Sequence, residues 1–394
     1  MLASFYNKFR RITTNHLYFP EIDGIRFVAI MLVLLFHIHG YFAAKAGFPA
    51  TETAPGLLNT FFINGDRGVE LFFVLSGFIL CLPFAHHYIN HGKTVSLRRY
   101  YLRRVTRLEP PYFLAMSAIF LLHIITNTTS FATMLPHWLA SLAYVHNIVY
   151  HRASIVTVVA WSLEIEIQFY LMAPLLFRIL SLHRAVRRIL LLVGIIAIIL
   201  QQHTYTTPFI TIFNFAQYFL TGILLADLYV SNSAAAFFNK KWIAPLAAII
   251  LAAIIYLPIK STAITTPQLL AAHLLFPFLI GLFYYIVFKN PVIKQVFSYK
   301  FIPIIGGMCY SIYLLHYTII SVLGRFTTSF HITGGYLPNI LLQIVLLMIP
   351  ILLLSAIFYL YIERPFMSGK WLDLLLKKDK IEKETNMQSE NDQK

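Results

Sequence analysis

Apolar stretches of about 20 residues recur along almost the whole chain, and this feature limits its fold more than any other. Such a stretch crosses a hydrocarbon core of roughly 30 Å as a single helix. The composition agrees, because 58% of the 394 residues are hydrophobic and only 12% are charged. Backbone groups find no water in lipid, so spans must be helices or barrel strands, and these runs are too continuous for barrel strands. The sequence therefore predicts an all-α polytopic membrane protein.

Ten segments are predicted to be transmembrane helices: 24–44, 68–86, 110–127, 160–180, 189–201, 208–230, 242–258, 267–288, 302–324 and 339–362. The fifth has an apolar part of only 13 residues and is the least secure. The segment 134–150 is apolar but interrupted, and we expect it to be interfacial or re-entrant. The prolines Pro110 and Pro111 are expected to end a preceding helix and to begin the third span.

The distribution of basic residues orients this arrangement. With the N-terminus in the cytoplasm, 25 of the 31 Lys and Arg residues fall in inner segments and five in outer loops. This asymmetry predicts ten spans with both termini cytoplasmic, and it explains the net charge of +15 without nucleic acid. We expect a cytoplasmic N-terminal segment (1–23) without a signal peptide, one transmembrane domain (24–366), a polar cytoplasmic tail (367–394) and no appended soluble domain.

The first span carries two ionisable residues on one face. From Arg26 to His37 a helix turns by roughly 1100°, three full turns plus about 20°, and rises roughly 16 Å. The pair has an ordinary interpretation, in which Arg26 snorkels to the interface and His37 is hydrogen-bonded inside the bundle. Ionisable residues within spans usually face a polar path, and a histidine there can take a proton from a hydroxyl.

Further polar groups lie in or beside the spans. Glu164 and Glu166 are about 200° apart on one helix and cannot face the same site. A carboxylate within a span needs a partner, for which His37 and Arg26 are both available, and a structural ion pair or an interfacial position is the alternative. Ser76 is interpreted as a small residue that allows close helix packing, and His316 as a core histidine.

Arginines cluster before the third span, and Arg99, Arg103 and Arg107 recur every four residues, as on one helical stripe, with Arg104 beside it. Such a cluster either contacts anionic lipid at the cytoplasmic side or binds phosphates, which arginine holds with two hydrogen bonds. Neither cysteine belongs to a ligand pattern, and we expect no metal site.

Six motifs in this order resemble the acyltransferase-3 family of integral-membrane O-acyltransferases. Arg26 and His37 fit the family's arginine–ten residues–histidine motif. The other resemblances are "LFFVLSGF" at 71–78, "RRVTRLEP" at 103–110, "WSLEIEIQFY" at 161–170, "CYSIYLLH" at 309–316 and "ERPF" at 363–366. Glu164 and Glu109 depart from the usual pattern.

The resemblance implies an O-acetyltransferase of the bacterial inner (plasma) membrane that modifies a cell-surface or lipid-linked polysaccharide. It implies acetyl-CoA, or another acyl-CoA, as a cytoplasmic donor substrate, with no permanently bound cofactor. In the resulting hypothesis Arg103, Arg104 and Arg107 hold the donor's phosphates, Arg26 guides the thioester or stabilises developing negative charge, and His37 is the general base. Glu166, at the family's usual glutamate position, fixes the tautomer and orientation of His37. Two alternatives stay open: a proton-coupled transporter or polysaccharide exporter with His37, Glu166 and His316 as a proton relay, and a lipid-directed acyltransferase with a longer donor.

Overall fold

A computed structural model describes residues 9–12, 18–45, 56–205, 207–260, 265–330, 332 and 335–367. Throughout these ranges the regular secondary structure is helical, and they contain no β-strand. The predicted tail lies outside the described residues apart from Met367, as does most of the predicted N-terminal segment. The all-α prediction is therefore confirmed for the described part of the chain.

The helices of the described ranges are numbered here in chain order. They are α1 (Pro20–Lys45), α2 (Leu57–Ile63), α3 (Gly68–Asn90), α4 (Leu97–Ile125), α5 (Phe131–Leu142), α6 (His146–Tyr150), α7 (Ala160–Leu176), α8 (Arg184–Thr204), α9 (Ala216–Val230), α10 (Ala235–Phe238), α11 (Ala244–Tyr256), α12 (Thr266–Lys289), α13 (Pro291–Phe297), α14 (Phe301–Gly307), α15 (Cys309–Thr327), α16 (Tyr336–Phe358) and α17 (Arg364–Phe366). A 3₁₀ turn joins α2 to α3, and a π-helical turn joins α16 to α17.

Each of the ten predicted spans overlaps a helix or a bent helix pair. Among the described residues, six helical stretches are long and apolar enough to cross a membrane, and the pair α14–α15, bent by 71°, would make a seventh. The helices α7, α9 and α11 are shorter. The multi-pass character is therefore supported, whereas the number of ten and the cytoplasmic placement of both termini stay predictions.

The fifth predicted span and the segment 134–150 both correspond to helices in the structure. The fifth span, predicted from 13 apolar residues, belongs to the 21-residue helix α8, because the arginines at 184–188 continue the same helix. The segment 134–150 forms the separate short helices α5 and α6, in agreement with an interrupted apolar stretch.

The expected helix break at Pro110 and Pro111 is wrong. Helix α4 runs without interruption from Leu97 to Ile125 and carries both prolines inside it. A proline removes one hydrogen bond to the carbonyl four residues earlier, but membrane helices tolerate this when neighbouring groups satisfy the freed carbonyls. The arginine cluster therefore lies on the same continuous helix as the third span.

The core of the bundle depends on close approaches at glycine. The helices α3 and α9 pack against each other where Gly77 meets Phe219 and Gly222 meets the backbone of Val74 and Phe78. Small residues of this kind let helix backbones approach closely in membranes. Because Ser76 precedes Gly77, the packing of α3 on α9 also fixes where Ser76 points.

Candidate active site

A cavity lies between α1, α3, α4, α7 and α15, and it encloses about 820 Å³, counting the space at its open mouth. Four of the six predicted site residues line it, namely Arg26, Arg104, Arg107 and Glu166, whereas His37 and Arg103 do not. The remaining polar lining side chains are Arg11, Ser76, Ser162, Tyr170, Tyr310 and Tyr313. A concave site of this size, mostly apolar with a few convergent polar groups, has the character of a small-molecule site.

Arg26 is held by a buried carboxylate one helical turn earlier. Its Nη1 lies 2.6 Å from Oδ1 of Asp23, and Nη1 of Arg11 lies 3.5 Å from the same oxygen. Asp23 is only 2% exposed, and Gly306 packs so closely on its backbone that any side chain there would collide. One carboxylate thus neutralises part of the charge of two arginines and fixes both at the cavity wall.

The arginines of α4 that line the cavity are not those of the predicted stripe, of which only Arg107 lines it. Arg104 and Arg107 line it, and they are three residues apart, so they share one face of α4. The Nε atoms of both are buried without a hydrogen-bond partner among the described residues. Arg104 also lies over the ring of Tyr170, 5.7 Å from its centroid. Buried, unsatisfied guanidinium donors favour an anionic ligand at this place.

Glu166 reaches the cavity from α7 and accepts a hydrogen bond from the hydroxyl of Ser76 on α3, with Oγ and Oε1 2.5 Å apart. Sequence reasoning interpreted Ser76 as a packing residue and so missed this partner. Its only signal in the sequence was its place within "LFFVLSGF", a motif of the family resemblance.

The predicted contact between Glu166 and His37 is not made. Glu166 lines the same cavity as Arg26, and His37 lies three helical turns further along α1, roughly 16 Å from the level of Arg26. The ring of His37 instead contacts His316 and Tyr317 of α15, with centroids 5.1 and 5.2 Å apart. Glu166 and His37 therefore have different partners, Ser76 for Glu166 and the α15 rings for His37.

His316 is fully buried, and its tautomer follows from its hydrogen bonds. Its Nδ1 donates to the carbonyl oxygens of Tyr313 and Ile312, at 2.8 and 3.1 Å. The Nε2 atom must then carry the lone pair, and it has no hydrogen-bond partner among the described residues. Tyr313 also lines the cavity and shares a 2.5 Å hydrogen bond with Ser162. The imidazole pair thus adjoins the cavity through Tyr313.

Other acidic groups that the sequence singled out have structural partners. Glu164 is buried and accepts hydrogen bonds from the backbone N–H and the side-chain amide of Asn147, at 2.9 and 3.1 Å. Glu363 is buried and accepts from the backbone N–H and the hydroxyl of Ser311. In the described ranges, no group of three or more His, Cys, Asp or Glu side chains is arranged to hold a metal ion.

The chain is similar to two known O-acetyltransferases. It is 24% identical to the peptidoglycan O-acetyltransferase OatA of Listeria monocytogenes over 382 residues, which cover 90% of this chain and 57% of the relative. It is 25% identical to the O-acetyltransferase OatA of Staphylococcus aureus over 379 residues, or 88% of this chain and 57% of the relative. The chain therefore spans somewhat more than half the length of these relatives. No solved structure matches it.

The sequence profile of a family described as an acyltransferase domain matches residues 19–360. This range contains all six predicted site residues and the whole lining of the cavity except Arg11. The chain belongs to the acyltransferase-3 family.

Proposed function

We propose that the chain is a membrane O-acyltransferase that transfers an acetyl group from cytoplasmic acetyl-CoA to a hydroxyl of a cell-surface or lipid-linked polysaccharide. Family membership and the relatives' names support acyl transfer as the reaction class. The observation that carries the proposal for the donor is the cavity itself. Four arginines line one concavity inside a bundle of apolar helices, and two of them keep buried donors without a partner.

The donor's phosphates match these arginines. Arg104 and Arg107 each offer a buried, unpaired Nε–H group, and phosphate oxygens would accept these hydrogen bonds. Coenzyme A carries its phosphates at one end and its thioester at the other, joined by the long pantetheine arm. With the phosphates at α4, the arm extends past Arg26 toward the imidazole pair. The separation of Arg26 and His37 along α1 is therefore suited to an elongated donor.

The reaction removes the proton of the acceptor hydroxyl and replaces the donor's carbon–sulfur bond with a carbon–oxygen bond. The acceptor hydroxyl oxygen attacks the thioester carbonyl carbon, the carbon–sulfur bond breaks, and the coenzyme leaves as a thiolate that takes up a proton. We assign the role of base to His37, with Arg26 stabilising negative charge on the donor. His316 has its ring 5.1 Å from that of His37 and an Nε2 without a hydrogen-bond partner among the described residues, and we assign it the role of accepting or relaying the proton. Glu166 acts with Ser76 at the donor cavity and not on His37.

The acceptor is proposed from chemistry and from the relatives. The name of the Listeria relative specifies peptidoglycan, so a glycan of the bacterial cell envelope is the acceptor we infer. The inner (plasma) membrane follows as the proposed location. The rival carrier function would need a proton relay but no phosphate-binding arginines in its cavity, so the lining favours the enzyme.

Acyl transfer in isolated membranes tests the proposal. Membranes that contain equal amounts of the wild type, His37→Ala or Arg104→Gln receive radiolabelled acetyl-CoA, and the envelope glycan is extracted and counted. We expect label with the wild type, and with His37→Ala a loss of about 10²–10⁴-fold, the usual contribution of a general base. Labelled palmitoyl-CoA in parallel tests the lipid-directed alternative. Equal glycan labelling by wild type and His37→Ala would contradict the proposed base.

A further inference from the structure

A second cavity lies away from the catalytic one, between α9, α10 and α12, and encloses about 620 Å³, counting the space at its open mouth. Most of its wall is aliphatic or aromatic, including Leu224, Leu228, Phe278 and Leu282. Its polar groups lie mainly at one end, where Ser233 and Tyr285 meet. The groove is therefore an apolar channel with a single polar mouth.

Arginines converge on this mouth. Arg184 and Arg188, one turn apart at the start of α8, both donate from Nη2 to Oγ of Ser233, at 3.0 and 2.9 Å. Arg188 also shares the buried carboxylate of Asp227 with Arg187. Arg184 is exposed, and no carboxylate within the described ranges lies at ion-pair distance from it. The mouth thus keeps positive charge that no acidic neighbour balances.

A lysine extends the same charge across α12. Nζ of Lys289 lies 2.8 Å from Oδ1 of Asn232 and 6.0 Å from the ring centroid of Tyr285, beside the polar end of the groove. The sequence places these cations on the cytoplasmic side. Of the four cations Arg184, Arg187, Arg188 and Lys289, two pair with the carboxylate of Asp227.

The length of the groove fits one leaflet. From Thr221, at the end remote from Ser233, to Val230 the helix α9 rises roughly 14 Å. Half of a hydrocarbon core of ~30 Å is about 15 Å. An extended acyl chain lying along α9 would therefore keep its headgroup at the level of Ser233 and its tail near the bilayer centre.

We propose that this groove is a binding site for an anionic phospholipid of the cytoplasmic leaflet. One acyl chain lies between α9 and α12 against the leucines, and the phosphate group accepts hydrogen bonds from Arg184 and Arg188. Basic pockets between membrane helices on the cytoplasmic side are suited to such headgroups. The inference does not depend on the proposed acyl transfer, because none of these residues lines the catalytic cavity.

Photolabelling of the purified full chain tests the site. The probes are a phosphatidylglycerol and a phosphatidylcholine with the same diazirine-bearing acyl chain, and labelled peptides are mapped by mass spectrometry. We expect the phosphatidylglycerol probe to label α9 and α12 several-fold more than the phosphatidylcholine probe. Arg184→Gln should lower that labelling by roughly five-fold, the usual effect of one basic residue at an anionic membrane surface. Lys93→Gln, an exposed lysine between α3 and α4, is the matched control and should change nothing.

A groove-filling variant gives an independent test. Leu228→Trp places a large ring in the channel and should lower labelling by both probes while the protein still elutes as a single species. If that variant does not fold, Leu282→Phe, a smaller change in the same wall, provides the same measurement. Equal labelling by the two headgroups, labelling outside α9 and α12, or full labelling of Arg184→Gln would each overturn the proposal.

Discussion

The imidazole rings of His37 and His316 lie 5.1 Å apart in the interior of the bundle, on two helices that are far apart in the sequence. Nδ1 of His316 donates to two backbone carbonyls, so Nε2 is a buried acceptor. This Nε2 has no hydrogen-bond partner among the described residues. An unsatisfied buried acceptor costs roughly 1–3 kcal/mol, and such a cost is common where a group takes part in function. The contact between His37 and His316 therefore brings together two family motifs that the sequence could not connect.

The first prediction separates His316 from a purely structural role. His316→Gln keeps a polar side chain of similar length but removes the basic nitrogen. We expect kcat to fall by about 10²-fold, at the lower end of general-base effects, with KM for acetyl-CoA unchanged. Steady-state kinetics in reconstituted vesicles measure both constants. A normal kcat, or a rise in KM alone, would remove His316 from the proton path.

The second prediction uses two neighbouring arginines of α4. Arg104 lines the cavity and Arg103 does not, so Arg104→Gln should weaken coenzyme A binding while Arg103→Gln serves as the matched control. The loss of a hydrogen bond to a charged group, about 1.5–3 kcal/mol, corresponds to an increase in Kd of roughly 10- to 150-fold. Titration calorimetry with coenzyme A measures it. Equal losses for both variants would show that only the general charge of α4 matters.

The third prediction concerns the hydrogen bond from Ser76 to Glu166. If the two side chains act as one unit, Ser76→Ala combined with Glu166→Gln should lose no more kcat/KM than Glu166→Gln alone. The coupling energy should be about 0.5–3 kcal/mol. The exposed Ser181→Ala, paired with the same Glu166 variant, is the control and should be additive. Additive losses for Ser76 as well would mean that the contact has no functional role.

The fourth prediction tests the glycine contact that sets the position of Ser76. A Cβ at Gly77 would collide with the backbone of Phe219, so Gly77→Ala should destabilise the fold by about 1–3 kcal/mol, as overpacking does. At Gly40 no atom lies within 4 Å of an added Cβ, so Gly40→Ala should be tolerated. Thermal unfolding of the purified variants in detergent compares them. A Gly77→Ala protein as stable as Gly40→Ala would contradict the close approach of α3 and α9.

The fifth prediction is a pH dependence of stability from a second histidine pair. Nδ1 of His137 lies 2.8 Å from Nε2 of His146, whose Nδ1 donates to the carbonyl of Arg152. Burial lowers the pKa of both imidazoles, and the positive charge of Arg152 lowers it further. Their folded pKa values therefore lie below the unfolded value of about 6.5, so stability is present above that pH and is lost as pH falls below it.

Thermal unfolding at pH 7.5 and pH 5.5 checks this dependence. The wild type should lose more of its Tm on acidification than His146→Leu, which cannot take up a proton at that position. His91→Leu, at an exposed histidine, is the matched control and should behave as the wild type does. The same loss of Tm in all three proteins would show that the buried pair does not control the acid sensitivity.

Several features of the fold followed from the sequence. The apolar runs predicted the helices because membrane spans must satisfy their own backbone groups. The motifs predicted the family. Four of the six predicted site residues line one cavity. The break at Pro110 was mispredicted because a local rule for proline in soluble helices was applied where neighbouring groups compensate.

The contacts between helices could not be predicted from the sequence. Glu166 meets Ser76 and not His37. Of the three arginines predicted to hold the donor, Arg104 and Arg107 line the cavity and Arg103 does not. No local pattern records how far a helix is rotated or shifted along its axis against its neighbour. Those quantities are set by close approaches such as the one at Gly77.

The sequence by itself determined which segments are helical, which residues share a helical face and how far apart Arg26 and His37 lie along α1. Helical geometry fixes these relations at about 100° and 1.5 Å per residue. Only the tertiary structure decided that His37 rests on His316 and that Arg26 shares a cavity with Glu166. Such pairings depend on the packing of whole helices, whose free energy is spread over many small contacts and is not encoded at any single position.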